Sequence, residues 1–276
     1  MMENGRNDGC QEVDLILFAG QSNMSGRGDA ATAVRCDAAA GYEYKAISHP
    51  GSLLPVREPF GLGEDREGGL WDYDEKGRSK RTGSMVSAVI DTYYAGTGRR
   101  IVGVSASMGG TDTVQWKQVY LADAVERLKR AKEFLRENCF SIQKFFVLWC
   151  QGESDGDAGR TAEDYKANLR EIYHEFRAQG AEKCFLVQIG HYNYVAYPGV
   201  AGGLTGKEWD MRYGIIRDAQ AALCLTEEDF ILAGSLEPYL HEMKDTYHYK
   251  QNAYNQVGRA AGVAMADYVM KQGRKA

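Results

Sequence analysis

The chain has 276 residues, 44% of them hydrophobic and 26% charged, with a formal net charge of −5. That length is enough for one large α/β domain or for two small ones, and the acidic balance excludes a basic field for nucleic acid or an anionic membrane surface. No apolar run approaches the roughly 18 residues that span a bilayer.

The opening stretch, MMENGRNDGCQEV, has no apolar core of the kind a secretory signal carries. Residues 1–12 are expected to be a flexible extension, and 13–276 a single domain. Five β-rich apolar runs then read as buried parallel strands: 13–18, 100–107, 142–149, 183–189 and 230–234. The stretch 32–81, rich in Gly and charge, reads as long loops. Amphipathic segments separate or follow the strands. The first, TGSMVSAVIDTYYAG, has an expected cap at Thr82, and VYLADAVERLKRAKEFLREN is strongly 3.6-periodic. TAEDYKANLREIYHEFRAQG opens on a Thr-x-x-Asp box. EWDMRYGIIRDAQAALC and NAYNQVGRAAGVAMADYVMK complete the set. Alternating strands and helices predict a flavodoxin-like three-layer α/β sandwich around a five-stranded parallel sheet. Six cysteines (Cys10, Cys36, Cys139, Cys150, Cys184 and Cys224) form no C-x-x-C pair. With no export signal they are expected to stay reduced, in a cytoplasmic protein.

In such a sheet ligands bind beyond the carboxyl ends of the strands. The residues there are Gly20-Gln21-Ser22-Asn23, Gly109-Gly110-Thr111, Gln151-Gly152-Glu153-Ser154-Asp155, His191-Tyr192-Asn193 and Asp245-Thr246-Tyr247-His248. All five ends are polar and hold the residue types of hydrolytic chemistry. A serine nucleophile needs a base, a group that orients the base, and donors for the oxyanion. Ser22 follows the first strand. His248 follows the last, with Asp245 three residues earlier, within reach of its Nδ1 side. The Ser22 N–H, the Gly109 N–H and the Gln151 amide are the expected oxyanion donors. Gln21, Asn23 and Glu153 are expected to contact substrate. Glu153 alternatively orients Gln151, holds a loop, or partners His248. A neutral imidazole must accept the serine proton, so activity is expected to fall in acid.

Four blocks, GQSNMSGRG, SMGGTDTVQW, LWCQGESDGD and DTYH, resemble in order and spacing the motif blocks of SGNH-type carbohydrate esterases. The likeness is nearest to the branch of sialate O-acetylesterases and acetylxylan esterases, and runs from residue 14 to about 257. It implies a flavodoxin-like fold and removal of O-acetyl groups from sugars through an acetyl-serine intermediate. By position it implies Ser22 as nucleophile, His248 as base and Asp245 as its partner. Ser22 N–H, Gly109 N–H and Gln151 would form the oxyanion hole. The oxyanion asparagine of the wider superfamily is absent, with Gln151 in its stead. The G-x-S-x-G elbow of α/β-hydrolases is absent too.

Aromatic residues Trp71, Tyr73, Trp116, Tyr192, Tyr194 and Tyr197 fall in expected loops, where sugar rings stack on such faces. Trp116, close after the glycine pair, is the expected platform. Glu153, Asp155 and Asp157 lack the spacing of a calcium loop, and no histidines have zinc spacing, so neither metal nor cofactor is expected. The expected partner is a small acetylated carbohydrate, with no nucleic acid or membrane partner, and the sequence leaves a homo-oligomer open. A sialic acid carboxylate would call on Arg27, Arg57 or Arg217. Two competing readings are a lipid-type esterase or thioesterase, which needs an apolar acyl tunnel, and a non-catalytic sugar-binding module.

Overall fold

The apolar runs expected as strands all lie in one sheet, buried over most of their length except the last, an edge strand in which Leu232 is 43% exposed. The computed structural model describes residues 9–65 and 73–273. Among these the strands are β1 (Gln11–Gly20), β2 (Gly41–Lys45), β3 (His49–Pro55), β4 (Ile101–Ser105) and β5 (Phe140–Cys150). They continue with β6 (Lys183–Gln188), a short β7–β8 hairpin (Val200–Ala201 and Leu204–Thr205), and β9 (Phe230–Ser235). The helices are α1 (Ser22–Ser25), α2 (Val86–Thr97), α3 (Thr113–Gln115), α4 (Leu121–Glu137), α5 (Glu153–Asp157), α6 (Ala162–Ala178), α7 (Gly206–Thr226) and α8 (Gln251–Gly273). No helix among the described residues is long and apolar enough to cross a membrane.

The five expected strands lie side by side as β4-β1-β5-β6-β9, every neighbouring pair parallel. The sheet has seven strands, not five: β2 joins β4 in parallel, and β3 closes that edge antiparallel to β2. Both extra strands lie in the stretch read as loops. GYEYK carries an acidic side chain into the core, since Glu43 is 3% exposed and accepts the Gly61 N–H at 2.7 Å. HPGSLLP holds two prolines and a glycine, tolerated in a strand only at an edge.

Side chains alternate across a strand, and β1 shows what that does here. Val13, Leu15, Leu17 and Ala19 pack with residues of α4, α6 and α7 on one face. Ile16 and Phe18 pack with α2 and α8 on the other. Each large apolar side chain so buried stabilises the fold by about 1.5–3 kcal/mol. The one charged residue in the run, Asp14, is held by Arg99 at 2.5 and 2.6 Å and by the Tyr93 hydroxyl. Caps set the helix starts. Thr161 accepts the Asp164 N–H at α6, and Thr205 with Glu208 forms a full box at α7. The expected cap at Thr82 does not form: α2 starts after Met85 with no side-chain cap, and the Ser84 Oγ just before it accepts the Val86 N–H.

The cysteines are not all reduced: Cys10 and Cys139 form a disulfide, while Cys36, Cys150, Cys184 and Cys224 are free. Parallel pairing of β1 with β5 sets Gln11 opposite Phe140, so the residues just before them are neighbours, with Cα atoms 4.6 Å apart. Residues 11 and 12, expected in the flexible extension, belong to β1.

Candidate active site

The chain leaves β1 through Gly20, whose φ is +136° and whose Cβ, if present, would stand 2.0 Å from the Cys150 carbonyl oxygen. Only glycine lets β1 end so close to β5. One helical turn, α1, follows at once and starts on Ser22. Ser25 donates to the Ser22 carbonyl at 3.2 Å, which ties up the other hydroxyl of the turn.

At the far end of the chain, the loop between β9 and α8 brings its histidine over this turn. His248 Nε2 lies 2.9 Å from Ser22 Oγ, and His248 Nδ1 lies 3.0 Å from both carboxylate oxygens of Asp245. Asp245 Oδ1 also accepts the backbone N–H groups of Tyr247 and His248, at 2.9 and 2.8 Å. Burial works to raise the Asp245 carboxyl, but these donors outweigh it and hold the group at about 2. It is therefore ionised at any working pH. A hydroxyl, an imidazole and a carboxylate in this line can pass a proton from the first to the second while the third steadies the charge.

Ser22 and His248 open on a cleft of about 350 Å³, also lined by Gln21, Arg27, Lys80, Gly109, Gly110, Glu153, Ser154, Asp157 and Tyr247. A larger groove of about 700 Å³, lined by residues of α4 and α6 and by Lys117, has no serine or cysteine in its lining. Of the expected residues, the cleft thus gathers Ser22, His248, Gly109, Gln21 and Glu153, and of the three arginines only Arg27. Arg217 is turned to Asp210 and the Gly190 carbonyl. Arg57 lines a separate cavity with Glu58.

Three expected residues have other surroundings. Gln151 is fully buried, and its Nε2 donates to Thr111 O at 3.0 Å and Asp155 Oδ2 at 2.6 Å. Two acceptors fix that orientation and use both hydrogens, so Gln151 has no N–H left for an oxyanion. Asn23 is also fully buried. It donates to Glu153 Oε1 and to the Tyr247 carbonyl, and accepts from the Tyr254 hydroxyl. Trp116 turns into the core, its ring edge-on to Trp149 at 4.9 Å, and offers no face to a sugar. Tyr247, adjacent to His248, is the aromatic residue on the cleft, and Trp71 lies outside the described residues.

His191 pairs with a carboxylate, Asp210 of α7, 2.9 Å away. The residues stand 19 apart, too far for local spacing to reveal the pair.

Burial raises the Glu153 carboxyl to about 7, against the opposing hydrogen bond from Asn23. A folded-state value above the unfolded one means that the folded chain holds the extra proton. Its contribution to stability is present below about 4.5 and is lost as pH rises through 7. Glu153→Gln keeps the Asn23 bond and removes the titration. Relative to the parent, the variant is expected to gain on the order of 3 kcal/mol between about pH 5 and pH 8. Denaturant melts at both pH values check this, and an unchanged difference contradicts it. Glu43, also raised to about 7 by burial, is common to both proteins and cancels.

A family model described as carbohydrate esterase, sialic acid-specific acetylesterase, matches residues 12–267. The chain superposes on the structure of a protein from Arabidopsis thaliana with a TM-score of 0.63, at 18% identity, covering 94% of this chain and 99% of that one. It superposes on a carbohydrate acetylesterase from Xanthomonas citri with a TM-score of 0.51, at 17% identity, covering 92% of this chain and 56% of that one. No curated protein sequence matches. At these identities the two structures speak to the fold, and the family rests on the match over most of the chain. The chain belongs to the sialic acid-specific acetylesterase family of carbohydrate esterases and is a carboxylic ester hydrolase.

Proposed function

We propose that the protein removes O-acetyl groups from small carbohydrates by a serine mechanism, a reading carried by the 2.9 Å contact of Ser22 Oγ with His248 Nε2 at the cleft. Ser22 Oγ attacks the acetyl carbonyl carbon as its proton passes to His248 Nε2. Collapse of the adduct breaks the bond to the sugar oxygen, which takes that proton, and the acetyl group stays on Ser22. Water then gives a proton to His248 and attacks the acetyl-serine. Acetate leaves, and Ser22 recovers its hydrogen. Asp245 stabilises the imidazolium formed in each half.

The oxyanion is assigned to Ser22 N–H, which as the first of α1 has no carbonyl of its own helix to meet, and to the Gly109 backbone. The side-chain donor is assigned to Gln21 in place of Gln151. Gln21 Oε1 accepts the Gly152 and Ser154 N–H groups, each at 3.3 Å. That fixes which end of the amide is oxygen. Its Nε2 has no hydrogen-bond partner among the described residues, and the residue lines the cleft.

Charged and amide side chains (Gln21, Arg27, Lys80, Glu153, Asp157) support a hydroxylated leaving group over a lipid chain. The Cys10–Cys139 disulfide favours an oxidising compartment over the cytoplasm. Acetate release from a panel of O-acetylated mono- and oligosaccharides, O-acetyl sialic acid included, tests the substrate. Turnover is expected to fall steeply from acetyl to butyryl esters. A preference for octanoyl esters would move the protein to the lipid esterases.

A further inference from the structure

The loop that carries Asp245 and His248 is held by three successive carbonyl groups, and asparagines hold all three. Asn193 Nδ2 donates to the Asp245 carbonyl at 3.0 Å, and Asn193 N donates to the Thr246 carbonyl at 3.2 Å. Asn23 Nδ2 donates to the Tyr247 carbonyl at 3.1 Å. The first asparagine follows β6 and the second follows β1, so the loop is fastened from both sides of β5.

Each asparagine is itself fixed. Asn193 is 6% exposed, and its Oδ1 accepts the Ala196 N–H at 3.2 Å, so nitrogen and oxygen cannot trade places. The segment before it is anchored on α7. Asp210 accepts the Tyr192 N–H at 3.1 Å and the His191 ring, while Arg217 holds the Gly190 carbonyl at 2.8 Å. Asn23 is fixed by Glu153 and the Tyr254 hydroxyl.

The Asp245 side chain already closes the loop locally by accepting the N–H groups two and three residues on. The three carbonyl contacts add a fixed position relative to Ser22, which a histidine must have to take a proton from that hydroxyl.

We infer that Asn193 is a positioning residue for the Asp245–His248 pair, acting through the carbonyls of their loop. The inference rests on the proposed roles of Ser22, His248 and Asp245, and the experiment separates the two. Asn193→Ala, Asn193→Asp and His248→Ala are compared in the full chain with an aryl acetate. The Asp variant keeps the shape and the Ala196 bond, and sets an acceptor with a negative charge in place of the donor, against the Asp245 carbonyl. Asn193→Ala and Asn193→Asp are expected to melt cooperatively near the parent. Their kcat should fall about five- to tenfold, with KM within about twofold, because a displaced base slows the proton transfer and leaves binding intact. Full activity in His248→Ala overturns the catalytic reading. An inactive His248→Ala beside Asn193 variants of parental kcat overturns this inference alone. So does a rise in KM at unchanged kcat, which makes Asn193 a binding residue. Failure of both Asn193 variants to fold overturns it too, because it makes the contact a requirement of folding.

Discussion

Ser22→Ala is expected to lower acetyl-ester hydrolysis by about three orders of magnitude or more, the scale on which a triad member acts. The hydroxyl is the only atom removed, and its one hydrogen-bond partner among the described residues is His248. The fold should be untouched, since Ser22 sits at the cleft and not in either core cluster. Steady-state turnover of an aryl acetate by the purified variant decides this. Near-parental kcat would remove Ser22 from the mechanism, and Ser25, already donating to the Ser22 carbonyl, offers no ready substitute.

The second large effect is expected at Asp155, and it is one of stability. This fully buried carboxylate accepts Thr113 N at 2.9 Å, Thr113 Oγ1 at 2.6 Å and Gln151 Nε2 at 2.6 Å, and pairs with Arg160 at 2.6 Å. Together Gln151 and Asp155 clamp the chain just after Gly109 and Gly110. Asp155→Ala leaves three buried donors without that acceptor, at about 1–3 kcal/mol each before relaxation. A loss on the order of 3 kcal/mol is expected in a denaturant melt, along with a lower kcat in the fraction that folds. A variant with the parental midpoint and a collapsed kcat would instead give the Gln151–Asp155 pair a direct part in the chemistry.

Sequence and structure part company here for a physical reason. Gln151 lies at the strand end where an oxyanion donor is wanted, and residue type and position do not reveal which way an amide points. Its neighbour Asp155 settles that by claiming one N–H, and the Thr111 carbonyl claims the other. Trp116 misleads in the same way. It is close to the glycine pair in sequence, yet the turn that follows α3 swings its ring against Trp149. Strands β1, β4, β5 and β6 were legible because burial on both faces demands apolar runs, and β9, an edge strand with Leu232 exposed, because its run is apolar all the same. The edge pair β2–β3 was not, because its residues answer to Gly61, to solvent and to the edge position. Ser22, Asp245 and His248 were legible since each directly follows a strand or shares one short loop. Asn193 was visible as a strand-end residue, but its partners are main-chain carbonyls some 52 residues away, which no spacing betrays.

On the proposed mechanism, Ser22 carries the acetyl group between two half-reactions. Rapid acid quench of the enzyme during turnover of an acetylated sugar, followed by peptide mass spectrometry, measures it directly. One acetyl mass on the peptide that contains Ser22, gained by the parent and missing from Ser22→Ala, is the predicted result. Steady acetate release with that peptide unmodified at every quench time, and with undiminished turnover by Ser22→Ala, would contradict it.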